Sequence, residues 1–302
     1  MPIPVNRGMA PRCAYFQGCA ARQSCPELNQ ATLLVARRLG WELTPLENAA
    51  CTGARDLIEA QPDMAIILNT RTLALAEAAG FNTLMTVCST CTITLRQVNK
   101  RLKEDRQTLD LANKQLESIG LRYNATVDVR HFLWVLCADY GLDRLREQVK
   151  RPLRDVSVAP YYGCHILRPS DVLGFDDPNN PRSLHDLIVA LGGRPTDFSS
   201  QADCCGFHMM TIDENRAARH AGGLLIDAQQ RGADVMVTAC PLCHISMDAW
   251  QPKSERVMKR KIRMPVIHVP QLVGLALGYT PRELGLERHI VQPLVLIKKY
   301  SA

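Results

Sequence analysis

The sequence predicts two duplicated α/β domains, residues 1–150 and 151–302, each with a small parallel sheet and related by pseudo-twofold symmetry. Three observations carry this prediction. The first is a repeat: AEAAGFNTLMTVCSTCTITL near position 80 and DAQQRGADVMVTACPLCHISM near position 230 place Gly80 and Gly232, Cys88 and Cys240, and Cys91 and Cys243 each 152 residues apart. Such a period, half the chain, has to be recognised before any local assignment. The second is the pair of short unbroken apolar runs, Leu84 to Val87 and Val235 to Ala239, each between helical stretches, as expected of parallel strands buried on both faces. The third is size: 302 residues with 46% hydrophobic and 22% charged side chains hold enough apolar material for two cores.

The elements follow in order along each copy. YFQGC ending at Cys19 matches YYGC ending at Cys164, and LLVARRLGWEL matches DLIVALGGRP, so that two helices are predicted to end at Leu39-Gly40 and Leu191-Gly192. Gly80 and Gly232 end the helices that precede the two apolar strands. Thr92 to Tyr123 is a charged helical stretch, predicted to be a solvated helical hairpin or one extended helix. His131 and His268 align in apolar strand-to-helix surroundings and are expected to be structural. The boundary between the copies is placed around Lys150 to Asp155.

Composition excludes several functions. A net charge of +6, from 36 basic and 30 acidic residues, suits an anionic small molecule or an acidic partner and is too weak for nucleic acid. Aromatics make up 5% and do not alternate with arginine or lysine as base-stacking surfaces do. No glycine-rich dinucleotide or phosphate loop follows a strand, so no nicotinamide, flavin or nucleotide site is expected. The N-terminus has neither an apolar export region nor twin arginines, and no apolar run reaches membrane-span length. A cytoplasmic location with reduced thiols is therefore expected.

Twelve cysteines then have a chemical rather than a stapling purpose. In the second copy they read Cys164-x39-Cys204-Cys205-Gly206-x33-Cys240-x2-Cys243; in the first, Cys19, Cys51, Cys88 and Cys91 correspond. A Cys-x-x-Cys directly after a strand sits where a helix begins, and backbone N–H groups there favour thiolates. Adjacent cysteines such as Cys204 and Cys205 serve one site only through a tight turn, for which Gly206 gives the freedom, or by gripping different atoms of a large cluster. Zinc takes four ligands, one fewer than the second copy offers, which leaves a zinc scaffold as the rival and iron–sulfur chemistry as the better fit.

The same constellation, with FQGC and YYGCHILRP opening the two halves, resembles the tandem cysteine-rich (CCG) domains of the B-type heterodisulfide reductase subunits over nearly the whole chain. The resemblance implies an oxidoreductase subunit acting on sulfur groups, with two four-iron four-sulfur clusters facing each other near the domain interface. It implies ligands Cys164, Cys204, Cys205, Cys240 and Cys243 for a non-cubane cluster in the second domain. For the first domain it implies Cys19, Cys51, Cys88 and Cys91. There the pattern departs at Ala50, aligned with the first cysteine of the vicinal pair, and at Thr52-Gly53, so that an ordinary cubane cluster is expected. This asymmetry resembles the B-type subunits of heterodisulfide-reductase-like complexes of sulfur oxidisers, which implies sulfane sulfur on a lipoate-carrying protein as substrate. The implied partners are a ferredoxin-like iron–sulfur subunit and a flavin subunit. The alternative is an electron-transfer subunit of a hydroxyacid- or succinate-oxidising complex, which carries the same domains.

Cys13, Cys25 and Cys137 lie outside the pattern and are expected to be buried small hydrophobes, with Cys13 and Cys25 the candidates to replace a missing ligand. His165, His208 and His244 each lie within three residues of a pattern cysteine, where packing or hydrogen bonding is expected and proton transfer is the functional alternative. The basic run VMKRKIRM, Val257 to Met264, is expected to be a solvated face, with docking of an acidic carrier through Lys259, Arg260, Lys261 and Arg263 as the alternative.

Overall fold

The computed structural model of the chain describes residues 11–301. Among these residues eight strands form two four-stranded parallel sheets. In the first half, β1 (Arg12–Phe16), β2 (Glu42–Pro45), β3 (Thr83–Thr86) and β4 (Asp128–His131) stand in the order β2-β1-β3-β4. In the second, β5 (Ser157–Tyr161), β6 (Arg194–Pro195), β7 (Val235–Thr238) and β8 (Val266–His268) stand in the order β6-β5-β7-β8. The permutation is the same, so the sequence repeat is a repeat of topology. The apolar runs are β3 and β7, buried as expected of strands covered on both faces.

Local chemistry sets the element ends. The helix Pro62–Ala78 and the helix Glu214–Gln230 are each followed by a glycine in the left-handed region, Gly80 at φ 79° and Gly232 at φ 80°. Pro160 sits inside β5, which a central strand would ordinarily forbid. It is tolerated because Val156 and Val158 turn their carbonyls to β6, and β6 has ended before an N–H at position 160 would need an acceptor on that side.

The charged stretch is a helical hairpin, Ser89–Glu104 and Arg106–Leu116, broken where Asp105 caps the second helix by accepting from the Thr108 N–H. It is not fully solvated. Leu95, Val98, Leu102, Leu109, Ala112 and Leu116 recur at helical spacing and are buried.

The cores do not divide as the repeat does. Alternate strand residues feed two apolar clusters, one holding Tyr15, Met85, Val158 and Val237, the other Ala14, Leu84, Ala159 and Met236. Each cluster therefore takes side chains from both halves: there are two cores, as the apolar content suggests, and both cross the repeat. The crossing is reinforced by polar ties: Arg96 donates to the Val172 carbonyl at 2.9 Å, and the Tyr279 hydroxyl to that of Leu34 at 3.0 Å. Trp134 stacks on Phe175 with ring centroids 5.3 Å apart.

Candidate functional site

Both Cys-x-x-Cys motifs lie where β3 and β7 give way to helices. Cys88 is the N-cap of the helix Ser89–Glu104, its sulfur accepting from the Cys91 N–H at 3.4 Å, and Cys240 is the N-cap of the short helix Pro241–His244. Gly18 and Gly163 precede Cys19 and Cys164 with positive φ, and a Cβ on either would meet the next thiol, Cys91 Sγ at 3.5 Å or Cys243 Sγ at 3.2 Å. These glycines keep the approach to the thiols open.

In the second half the five cysteines form one chain of contacts. Cys164 meets Cys204, Cys204 meets Cys205, Cys205 meets Cys243, and Cys243 meets Cys240. The turn at Cys204-Cys205 is made by Gly206 at φ 78°, whose N–H donates to Cys204 Sγ at 3.4 Å. Surrounding donors hold that loop: the Tyr161 hydroxyl on the Asp203 carbonyl at 2.7 Å, His220 Nε2 on that of Cys204 at 2.6 Å, and Ser246 Oγ on that of Cys205 at 2.7 Å.

The first half repeats this geometry with one atom changed. Gly53 lies at φ 76° and donates to Cys51 Sγ at 3.4 Å, as Gly206 does to Cys204. Cys19 and Cys51 sulfurs are 3.7 Å apart, matching the Cys164–Cys204 pair. The buried Thr52 hydroxyl donates to Cys91 Sγ at 3.6 Å, in the place where Cys205 meets Cys243. The register expected from the sequence is thus corrected by one residue. Cys51 corresponds to Cys204 and Thr52 to Cys205, because the left-handed glycine fixes the turn, while Ala50 only lines the surface pocket beside Cys19 and Cys51. The signal was present in the sequence: Cys51-Thr52-Gly53 differs from Cys204-Cys205-Gly206 only at its centre.

Neither Cys13 nor Cys25 replaces the missing thiol. Cys13 is buried in β1 and Cys25 faces His244 Nδ1 at 3.9 Å; burial pushes both thiols up to about 12. Cys137 is likewise raised by burial, its sulfur on the Ser183 carbonyl.

The two groups of thiols meet at the junction of the halves. Cys88 lies against Cys240, and this contact raises the Cys88 pKa while contacts with Cys243 and then Cys88 lower that of Cys240. Around the junction, Thr90 Oγ1 lies 3.7 Å from Cys240 Sγ and 2.9 Å from His165 Nδ1, and Ser89 donates to the Ala239 carbonyl at 3.2 Å. Thr90, His165, His208 and Phe207 wall a pocket whose floor is Cys164, Cys204, Cys205, Cys240 and Cys243. The equivalent members of each half share an electrostatic signature. The hydrogen bond with Cys19 pulls Cys51 down to about 6, and that with Cys164 pulls Cys204 strongly down. Burial lowers His165 and favours its neutral form.

The sequence matches the family of cysteine-rich domains designated CCG over residues 13–96 and again over 158–248. The chain belongs to the family of B-type heterodisulfide reductase subunits with tandem CCG domains. It is 37% identical over 278 residues to the 8-methylmenaquinol:fumarate reductase membrane anchor subunit of Wolinella succinogenes, covering 92% of this chain and 96% of that one. It is 30% identical over 292 residues to the B-type subunit of the ferredoxin/F(420)H(2)-dependent CoB-CoM heterodisulfide reductase of Methanosarcina acetivorans, covering 95% and 96%. A protein of Archaeoglobus profundus, named for its likeness to the same B-type heterodisulfide reductase subunits, is 29% identical over 278 residues, 89% of this chain and 92% of that one. A crystal structure of a hypothetical protein from Helicobacter pylori shares the fold, with a TM-score of 0.75 at 16% identity over 96% of this chain and 53% of that one. Membership makes this heterodisulfide-reductase-type chain an iron–sulfur redox subunit of an oxidoreductase. Among the described residues no helix is long and apolar enough to cross a membrane.

Sequence reasoning singled out His244 but missed its neighbours Glu27, Asp248, Gln271 and His289, which come from distant segments and surround it in the interior. The basic run proved exposed at Lys259, Arg260, Lys261 and Arg263, with Ile262 and Met264 buried between them.

Proposed function

We propose that the chain, divided near residue 150, holds two iron–sulfur clusters, with Cys164, Cys204, Cys205, Cys240 and Cys243 as ligands in the second half and Cys19, Cys51, Cys88 and Cys91 in the first. The donor chemistry fits: nine thiols converge in two sets, and glycines leave the approach to the sulfurs clear. When bound, such clusters supply single-electron steps and an iron to which substrate sulfur can attach.

We read the second-half site as the place where sulfur chemistry occurs. The observation that carries this reading is the pocket itself, where five thiols face two imidazoles and a hydroxyl under an apolar wall. Reducing a disulfide to two thiols takes two electrons and two protons, and joining two thiols as a disulfide releases the same two electrons and two protons. His165 is suited to take or give a proton: Thr90 engages its Nδ1, which leaves Nε2 for the substrate side. Thr90 comes from the first half, so both halves build the pocket.

The substrate class we favour is sulfane sulfur on a lipoate-carrying protein, with net oxidation. The asymmetry between Thr52 and Cys205 supports one sulfur-reacting site served by a relay, and the exposed basic run offers an acidic carrier a landing face. Electrons would pass to a ferredoxin-like subunit and a flavin subunit in the cytoplasm. A second reading, electron transfer alone in a quinol- or succinate-linked complex, draws on the 37% identity to the Wolinella succinogenes subunit.

The test is iron and acid-labile sulfide per chain in anaerobically purified protein, followed by assay with disulfides and persulfides. About eight irons with equal sulfide and turnover of a sulfur substrate are expected. Full cluster content with electron transfer to a quinone and no reaction with any sulfur substrate would move the function to the second reading.

A further inference from the structure

Away from the cluster thiols, the interior holds a second set of metal-type donors. Cys25 and Glu27 stand at the start of the helix Pro26–Arg38 in the first half; His244 ends the helix Pro241–His244, and His268 closes β8 in the second. All four are buried, and their ligand atoms lie within 4.8 Å of one another. Cys25 Sγ is 3.9 Å from His244 Nδ1, and Glu27 Oε1 is 3.4 Å from His268 Nε2. A tetrahedral zinc site with the usual bond lengths has ligand-to-ligand edges of about 3.3 to 3.6 Å, so small side-chain movements close this set around one ion.

The hydrogen bonds around the set free one of its nitrogens, His244 Nδ1, for a cation. Gln271 donates its amide to the Leu284 carbonyl, so its Oε1 accepts, taking the His268 backbone N–H at 2.9 Å and His289 Nε2–H at 3.0 Å. His289 Nδ1 is then the acceptor for His244 Nε2–H at 2.8 Å. That fixes the His244 tautomer and turns the Nδ1 lone pair toward Cys25 and the donor set. A chain of this kind is what orients metal-bound imidazoles. His268 gives the independent observation: it is fully buried and both its ring nitrogens lack a hydrogen-bond partner, with Nε2 facing Glu27 Oε1 across 3.4 Å. Its counterpart in the repeat, His131, satisfies Nε2 on the Ala239 carbonyl at 3.0 Å. A buried ring nitrogen left unpaired is costly, and an ion in the donor set would satisfy it.

We propose that Cys25, Glu27, His244 and His268 form a closed structural site for a zinc-type divalent cation, distinct from both cluster sites and joining the two halves of the chain. One thiolate and one carboxylate balance a dication within the donor set, and one sulfur, two nitrogens and one oxygen suit zinc better than magnesium or calcium. With four protein ligands and no exposed position, the ion is held for structure and not for chemistry.

The test is elemental analysis and zinc K-edge X-ray absorption on the full chain, purified anaerobically without chelators. About one zinc per chain, with one sulfur and three nitrogen or oxygen neighbours, is expected beside the iron. In the Cys25→Ala/His268→Ala double variant, zinc falls at least about five-fold while iron and sulfide per chain are unchanged. Zinc below about 0.1 per chain, even after incubation with a zinc salt, would overturn the site, as would a zinc shell of four sulfurs, which would place the ion at the cluster cysteines. The absorption measurement on the unaltered chain decides the matter if the double variant does not fold.

Discussion

In the second half Cys205 reaches under Cys243; in the first, Thr52 reaches under Cys91, and the turn, the left-handed glycine and the paired thiol beside each are the same. One oxygen in place of one sulfur separates the two sites at their ligands. Their settings differ too: Cys19 and Cys51 line a surface pocket built by the first half alone, whereas the second-half thiols, Cys204 exposed among them, line a pocket shared by residues from both halves. Duplication preserved the backbone device and let the donor count and access diverge, which is the pattern expected when one site reacts and the other relays.

The strongest way to break this comparison is Cys205→Ser. It should remove about half of the iron and lower turnover of a sulfur substrate more than about 100-fold, since the lost ligand is made by no other residue, and iron analysis with a steady-state assay checks both. Cys91→Ser, which breaks the relay, should lower turnover while the second-half site still binds a sulfur substrate; loss of that binding with the second cluster intact would make the division into reacting and relay sites wrong. The reverse exchange, Thr52→Cys, sharpens the comparison by giving the first half its fifth thiol. The expected outcome is a change in the electron paramagnetic resonance signature of the first-half cluster with turnover altered less than about three-fold.

Smaller effects test what crosses between the halves. Thr90→Val removes the hydroxyl that engages His165 and should slow turnover about 5- to 10-fold, equivalent to one ordinary hydrogen bond. Its pH profile should also shift, because His165 loses the partner on Nδ1. The mildest test concerns His131, fully buried and lowered from 6.5 to about 4 by that burial. Above pH 6.5 it is neutral folded or unfolded and costs nothing. Between pH 6.5 and about 4 the unfolded chain takes a proton that the folded one refuses, so stability should fall by up to about 1.4 kcal/mol per pH unit. Denaturant titration at pH 7.5 and 5.5 measures the loss, and His131→Asn, which can still cap Leu133, should reduce it.

Much of this was legible because duplication writes itself into spacing. The match of Cys88 and Cys91 with Cys240 and Cys243 placed both strand-to-helix corners, and the glycines after the long helices marked their ends. The vicinal motif was misread by one position because sulfur was aligned with sulfur, whereas the backbone aligns on Gly53 and Gly206. The donor set around His244 was not legible as a set, although Cys25, His244 and His268 each stood out singly. Its members come from positions 25, 27, 244 and 268, and no local period links residues brought together only when the helix Pro26–Arg38 packs on the helix Val269–Ala276. The crossing of the cores was hidden for the same reason, since periodicity reports which face of an element is apolar and not whose partner it meets.

Those shared cores bear on how the chain comes to exist. A ribosome delivers the first sheet before the second has been made, and its apolar faces then lack the side chains that finally cover them. Most of the joining contacts link residues more than a hundred positions apart, as between Tyr279 and Leu34, a topology that folds slowly. The first half should therefore aggregate when expressed alone, and cluster insertion into Cys88 and Cys91 should await synthesis of Cys240, making maturation a late event on a nearly finished polypeptide.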